Sequence, residues 1–201
     1  MMGGAVNLDI FDESGQWVAE VQVRSQQSGI NRAVWNLQYS PLYTGPEEER
    51  SESSGISGIL VLPGRYTVRL DAGGVTTEQT VEVSEDPRLP VTEPERRAWT
   101  EKLLSLSGLS RASGALAADI REAVALTGEL RDSRRNRELQ AEAAELDRMG
   151  RELNGRIRRL AGEISGWTGL PTTDQLNEEE YFRMMVTTLL DRLEALTDKI
   201  G

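Results

Sequence analysis

The hydrophobic pattern of this chain changes period once, near Pro87 to Pro94, and that change limits what can fold on either side of it. Before the junction apolar residues recur at every second position, as on half-buried strands; after it they recur every three or four, as on helices. Val6, Leu8 and Ile10 alternate with Asn7 and Asp9, Asp12-Glu13-Ser14-Gly15 reads as a turn, and Trp17, Ala19, Val21 and Val23 resume the alternation. This is the pattern of a β-hairpin. Ala33, Trp35, Leu37 and Tyr39 predict a further strand, and Ile59-Leu60-Val61-Leu62 runs into a Pro63-Gly64 turn. Tyr66, Val68 and Leu70 then lead through Asp71-Ala72-Gly73-Gly74 to Val75, Thr77, Gln79, Val81 and Val83. About six short strands separated by turns predict an antiparallel β-sandwich over residues 1–90. A polar stretch over 43–55, with Glu47, Glu48 and Glu49, cannot bury itself and is expected to be a mobile loop.

Residues 91–201 predict three helices, at about 93–131, 134–166 and 174–200. Thr92 is placed to cap the first, Glu95 to reach back, and Pro94 is tolerated in the first turn. Its apolar positions include Trp99, Leu103, Leu106, Leu109, Leu116, Ile120, Val124, Thr127 and Leu130, with Gly108 and Gly114 permitting a kink. In the second helix Leu139, Ala143, Leu146, Gly150, Leu153, Ile157, Leu160, Ile164 and Trp167 step by four and three, a heptad seam. The third shows Phe182, Met185, Leu189, Leu193, Leu196 and Ile200, with Glu178, Glu179 and Glu180 near its dipole-favoured start. Each helix has one apolar stripe, so an elongated antiparallel three-helix bundle is expected, with pairing of the heptad seam between two chains as the alternative. The fold class is therefore α+β in two segregated domains, 1–90 and 91–201.

Composition removes much chemistry. The 201 residues include no cysteine and no histidine. That excludes disulfides, thiol nucleophiles, zinc fingers, Ser-His-Asp triads and a histidine general base. The net charge is −10, of which −7 falls in residues 1–90 and −3 in 91–201. An acidic balance opposes nucleic-acid binding, which uses a basic face. No apolar run approaches the ~18 residues of a membrane span, and the first residues lack the basic and apolar regions of a signal peptide.

No residue stands out as catalytic, metal-ligating or cofactor-binding. The acids lie on turns, in the acidic loop or on exposed helix faces, and nothing sets two of them across a cleft as glycosidic hydrolysis needs. Trp17, Trp35 and Tyr66 fall on apolar strand faces and are expected in the core, whereas Tyr39 and Tyr43 sit toward the loop. Exposed there, they would form a sugar- or peptide-contacting patch. Arg131, Arg134, Arg135 and Arg137 gather at the reversal between the first two helices beside Asp132 and Glu138. They read as a solvated tip, with Arg134 and Arg135 as candidate contacts to a partner. Because Val6 lies so near the start, the first strand is expected at a sheet edge, covered by upstream chain in a longer protein.

Two strand motifs carry a resemblance. Gly29-Ile30-Asn31-Arg32-Ala33-Val34-Trp35-Asn36-Leu37 is similar to a strand entry in immunoglobulin-like domains of the flagellar hook-capping type. Leu62-Pro63-Gly64-Arg65-Tyr66-Thr67-Val68-Arg69-Leu70 resembles a later strand of the same domains. With Asp86-Pro87-Arg88 and the Thr-capped helix that follows, the chain resembles the C-terminal region of bacterial sortilin-like, Asp-box propeller proteins labelled glycosyl-hydrolase-like. The resemblance implies a non-catalytic accessory module that packs against or spaces a propeller and presents a surface for protein association. It implies a periplasmic or extracellular setting. Any hydrolase activity belongs to the propeller, and this chain has no Asp-box of the S-x-D-x-G-x-x-W type. A carbohydrate-binding module serving a secreted hydrolase is the alternative.

Overall fold

A computed structural model describes residues 6–23, 29–45, 51, 53–131, 133–166 and 170–200. The chain is mixed α and β: four antiparallel strands precede three helices. The strands are β1 Val6–Asp12, β2 Trp17–Glu20, β3 Gly64–Ala72 and β4 Val75–Val83; the helices are α1 Glu93–Gly128, α2 Arg134–Ser165 and α3 Thr173–Ile200. Two compact units result, Met1–Leu104 and Ser105–Gly201. The division falls inside α1 rather than near residue 90. The first turns of α1 belong to the sheet unit, where Arg96 reaches Glu85 at 3.5 Å and lies 4.9 Å over the buried ring of Trp99.

Strand order in the sheet is β2-β1-β3-β4. The expectation that the first strand is an edge is therefore wrong: β1 pairs with β2 on one side and β3 on the other. The hairpin β1–β2 forms as read, because the Asp12 carboxylate accepts from the Ser14 and Gln16 amides at 2.9 and 3.0 Å and Gly15 takes φ +83°. Its register slips between Ile10 and Phe11, where Ile10 faces Ala19 but Phe11 faces Trp17. That bulge gives Val18 an inward position outside the alternating set, and Val18 is fully buried. Gly73 and Gly74, both at positive φ, make the two-residue turn from β3 to β4.

Residues 33–39 and 59–62 do not form strands. They meet at one bridge, Gln38 to Leu60, flanked by Tyr39 N–H donating to Ile59 O at 2.8 Å and Val61 N–H to Leu37 O at 2.9 Å. The ladder stops because Leu37 sits at φ +58°, a left-handed conformation that a strand cannot contain. Ile59 and Val61 are buried while Leu60 is exposed, so the alternation there is real although the ladder is short.

Within the second unit the expected seam of α2 is the buried face, from Leu139 through Ile164. Trp167 and Asp132 lie outside the described residues. Gly150 lets α1 approach: a Cβ placed there would stand 3.3 Å from Ile120 Cδ1. Gln140 donates to Thr127 O at 2.9 Å. Along α2 and α3, Glu142 pairs with Lys199 at 2.9 Å and Arg156 with Glu178 at 3.1 Å, an antiparallel arrangement. The α2 seam is thus covered by the chain's own helices. Despite Gly108 and Gly114, α1 runs as a single helix from Glu93 to Gly128. Ser133 caps α2, accepting from the Asn136 amide at 3.2 Å, and Thr172 with Gln175 forms a reciprocal box at the start of α3.

Candidate functional site

The free side of β2 opens into a cleft of about 680 Å³. Glu20 and Gln22 lie on one wall, with Trp35, Asn36, Gln38 and Ser57 among the residues of the other. The second wall is held by a tight turn. The Trp35 indole N–H donates to Gln38 O at 3.1 Å and the Asn36 side-chain Nδ2 to Gln38 Oε1 at 2.8 Å, with Leu37 supplying the left-handed residue between them. Ser40 N–H donates to Val18 O at 2.9 Å, fastening this wall to β2. The Trp35 ring meets Tyr66 edge to face, centroids 5.2 Å apart, and remains half-buried. Among the described residues the lining chemistry is one indole, several amides and hydroxyls, one carboxylate (Glu20) and one guanidinium (Arg32).

The tyrosines reverse the expected roles. Tyr39 and Tyr43 are 7% and 8% exposed, with ring centroids 4.6 Å apart, so neither offers a stacking surface. Tyr39 is pulled inward by its backbone bond to Ile59, and Tyr43 by the turn in which its amide donates to Ser40 O at 3.0 Å. Burial pushes the Tyr39 hydroxyl pKa up, and the nearby Asp12 charge adds to it. Burial, then Tyr39 and Asp12, pushes Tyr43 to about 12. Tyr66, whose hydroxyl donates to Leu62 O at 2.6 Å, is raised by the same causes. Trp17 and Trp35, expected in the core, are only half-buried, and the Trp17 indole donates to Asp9 at 2.8 Å. The described part of the 43–55 segment is tethered: Ser51 N–H donates to Leu42 O and Gly55 N–H to Pro41 O, at 3.0 and 2.8 Å. Glu47, Glu48 and Glu49 lie outside the described residues.

Arg134 and Arg135 belong to the helical unit, not to this cleft. Both are exposed. Arg134 pairs loosely with Glu138 at 3.3 Å, and Arg135 donates to Lys199 O at 3.0 Å, satisfying a terminal carbonyl of α3. One buried acid escaped the sequence reading. Glu179 is 3% exposed and accepts from Ser105 at 2.7 Å and Arg183 at 2.8 Å. Its spacing to Phe182, three residues on, places it on the apolar stripe, which separates it from Glu178 and Glu180. Among the described residues no three His, Cys, Asp or Glu side chains gather to hold a metal ion, and no helix is long and apolar enough to cross a membrane. Comparison with protein-family models, curated proteins and solved structures finds no match to this chain.

Proposed function

We propose that the chain is a non-catalytic interaction module: an immunoglobulin-like sheet domain followed by a three-helix bundle, serving as the accessory region of a propeller-type protein. The observation that carries this reading is the cleft beside β2. It is open, its walls are fixed by backbone hydrogen bonds, and Glu20 is its single carboxylate among the described lining residues. Hydrolysis of a glycosidic bond uses two carboxyl groups facing across the substrate. A half-buried indole ringed by amides suits recognition instead, since it offers flat apolar area beside directional donors and acceptors. The extended pair around Gln38 and Leu60, outside the four-stranded sheet, supports the immunoglobulin-like reading as the start of a second layer.

The test is a photo-crosslinking residue placed at Asn36, at the cleft wall, in cells that make the protein, with the same residue at exposed Arg134 as control. Protein adducts from position 36 and few from 134 support the reading; no adduct from position 36 overturns it. The Trp35 indole also favours a second reading, carbohydrate binding, because sugar faces stack on such rings. Glycan binding that is lost in Trp35→Ala but retained in Tyr43→Ala would establish it.

A further inference from the structure

We propose that β4 is a self-association edge, pairing antiparallel with β4 of a second copy about a two-fold axis through Gln79. The inference stands apart from the accessory role, since it needs only the sheet. The two edges of the sheet are unlike. β2 is four residues long, carries the bulge opposite Ile10 and Phe11, and has its Val18 carbonyl taken by Ser40. β4 is nine residues long and pairs with β3 at every position without a slip. Residues 75–80 and 82 are exposed, with Val75 at 66%. Valine and threonine dominate it, and it contains no proline, lysine or arginine. Lysine and proline are typical of the residues that block pairing at exposed edges, and the only charges β4 carries are Glu78 and Glu82.

The charge pattern selects a second copy and one register. Facing residues of an antiparallel pair share a face of the sheet, so the two-fold must pass through a residue. Through Glu78 it would set Glu78 against its own copy; through Thr80 it would set Glu78 against Glu82 of the second copy. Through Gln79 all nine residues pair and no glutamates oppose. Val75 then faces Val83, Thr76 faces Glu82, Thr77 faces Val81 and Glu78 faces Thr80. Glu78 is also balanced within its own sheet. Arg69 holds Glu78 at 2.7 Å, while Arg65, the β3 residue opposite Glu82, pairs with Glu13 at 2.7 Å. The acidic face of β4 thus reaches the axis partly neutralised, and a continuous sheet across two copies results.

Sedimentation of the full chain over a range of concentrations reads the equilibrium directly. Thr80 is exposed and faces Glu78 of the second copy in this register. Thr80→Glu therefore brings like charges together twice per dimer and is expected to weaken association at least tenfold. Thr80→Lys creates two opposite-charge pairs and is expected to tighten it severalfold, more so at low salt. A chain that stays monomeric at its highest soluble concentration, in both the unsubstituted and Thr80→Lys forms, overturns the proposal. So does a dimer that neither substitution affects, which would place the contact elsewhere.

Discussion

Alkaline titration of the buried tyrosines offers a sharp check on the sheet unit. Tyr43 is held at about 12 by burial, roughly two units above an ordinary tyrosine, and each unit corresponds to about 1.4 kcal/mol. The folded chain keeps the phenolic proton over a range where the unfolded chain has lost it. More protons bound in the folded state means stability falls as pH rises. The contribution is complete below about pH 10 and is lost as pH rises through about 12. For Tyr43 alone the loss approaches about 2.7 kcal/mol as an upper bound, with Tyr39 and Tyr66 acting in the same direction. Urea unfolding followed by tryptophan fluorescence, at steps from about pH 9 to pH 12, measures it. Tyrosinate absorbance of the folded chain follows the ionisation itself. The Tyr43→Phe chain keeps the ring and removes the proton, so its stability should fall less steeply over the same range. Parallel decline in both chains, or full tyrosinate absorbance near pH 10 while the fold persists, would refute the burial of this pair.

Other substitutions test other joints. Ile157→Ala empties a fully buried site on α2 and should cost about 2–5 kcal/mol in denaturant unfolding, whereas exposed Leu190→Ala should stay within about 0.5 kcal/mol. Ser133→Ala removes the cap on Asn136 N–H and should cost about 1 kcal/mol, with Ser133→Gly costing only a few tenths. Leu37→Asn relieves a left-handed leucine and should raise stability by about 0.5–1 kcal/mol, while Leu37→Val should lower it, both read as shifts in Tm. The Glu95 carboxyl, held below its usual range by the Thr92 hydroxyl and amide, stabilises the start of α1 above the ordinary carboxylate pKa. That support is lost as pH falls through the lowered value, and Glu95→Gln should remove the dependence from acid unfolding.

What the sequence revealed and what it hid follow the range of the interactions concerned. Helices α2 and α3 were legible because their signals are local: apolar residues repeat at steps of three and four along each, whereas the caps at Ser133 and Thr172 emerge only in the structure. The turns at Asp12 to Gly15 and at Gly73 and Gly74 were legible for the same reason. The bulge at Phe11 was not, because one slipped residue leaves the alternation of Trp17, Ala19 and Val21 looking intact. Leu37 reads as one more strand residue because nothing in a leucine announces positive φ, and the turn it makes leaves Trp35 at a cleft wall with Tyr39 buried. Glu179 was hidden among three consecutive acids, and only its distance from Phe182 marks it as the buried one. For the cleft, residue types were readable but not their convergence, which depends on residues 18–22 meeting 35–41 across the chain.

Under the proposed function this chain is a bound accessory to a propeller and performs no chemistry of its own. Affinity purification from cells that make it, followed by mass spectrometry, tests that claim most directly when repeated with Trp35→Ala. The expected result is recovery of a propeller-bearing polypeptide, continuous with this chain or held to it, with a held one reduced when Trp35 is replaced. Recovery of the chain without any propeller sequence, unchanged by Trp35→Ala, would contradict it.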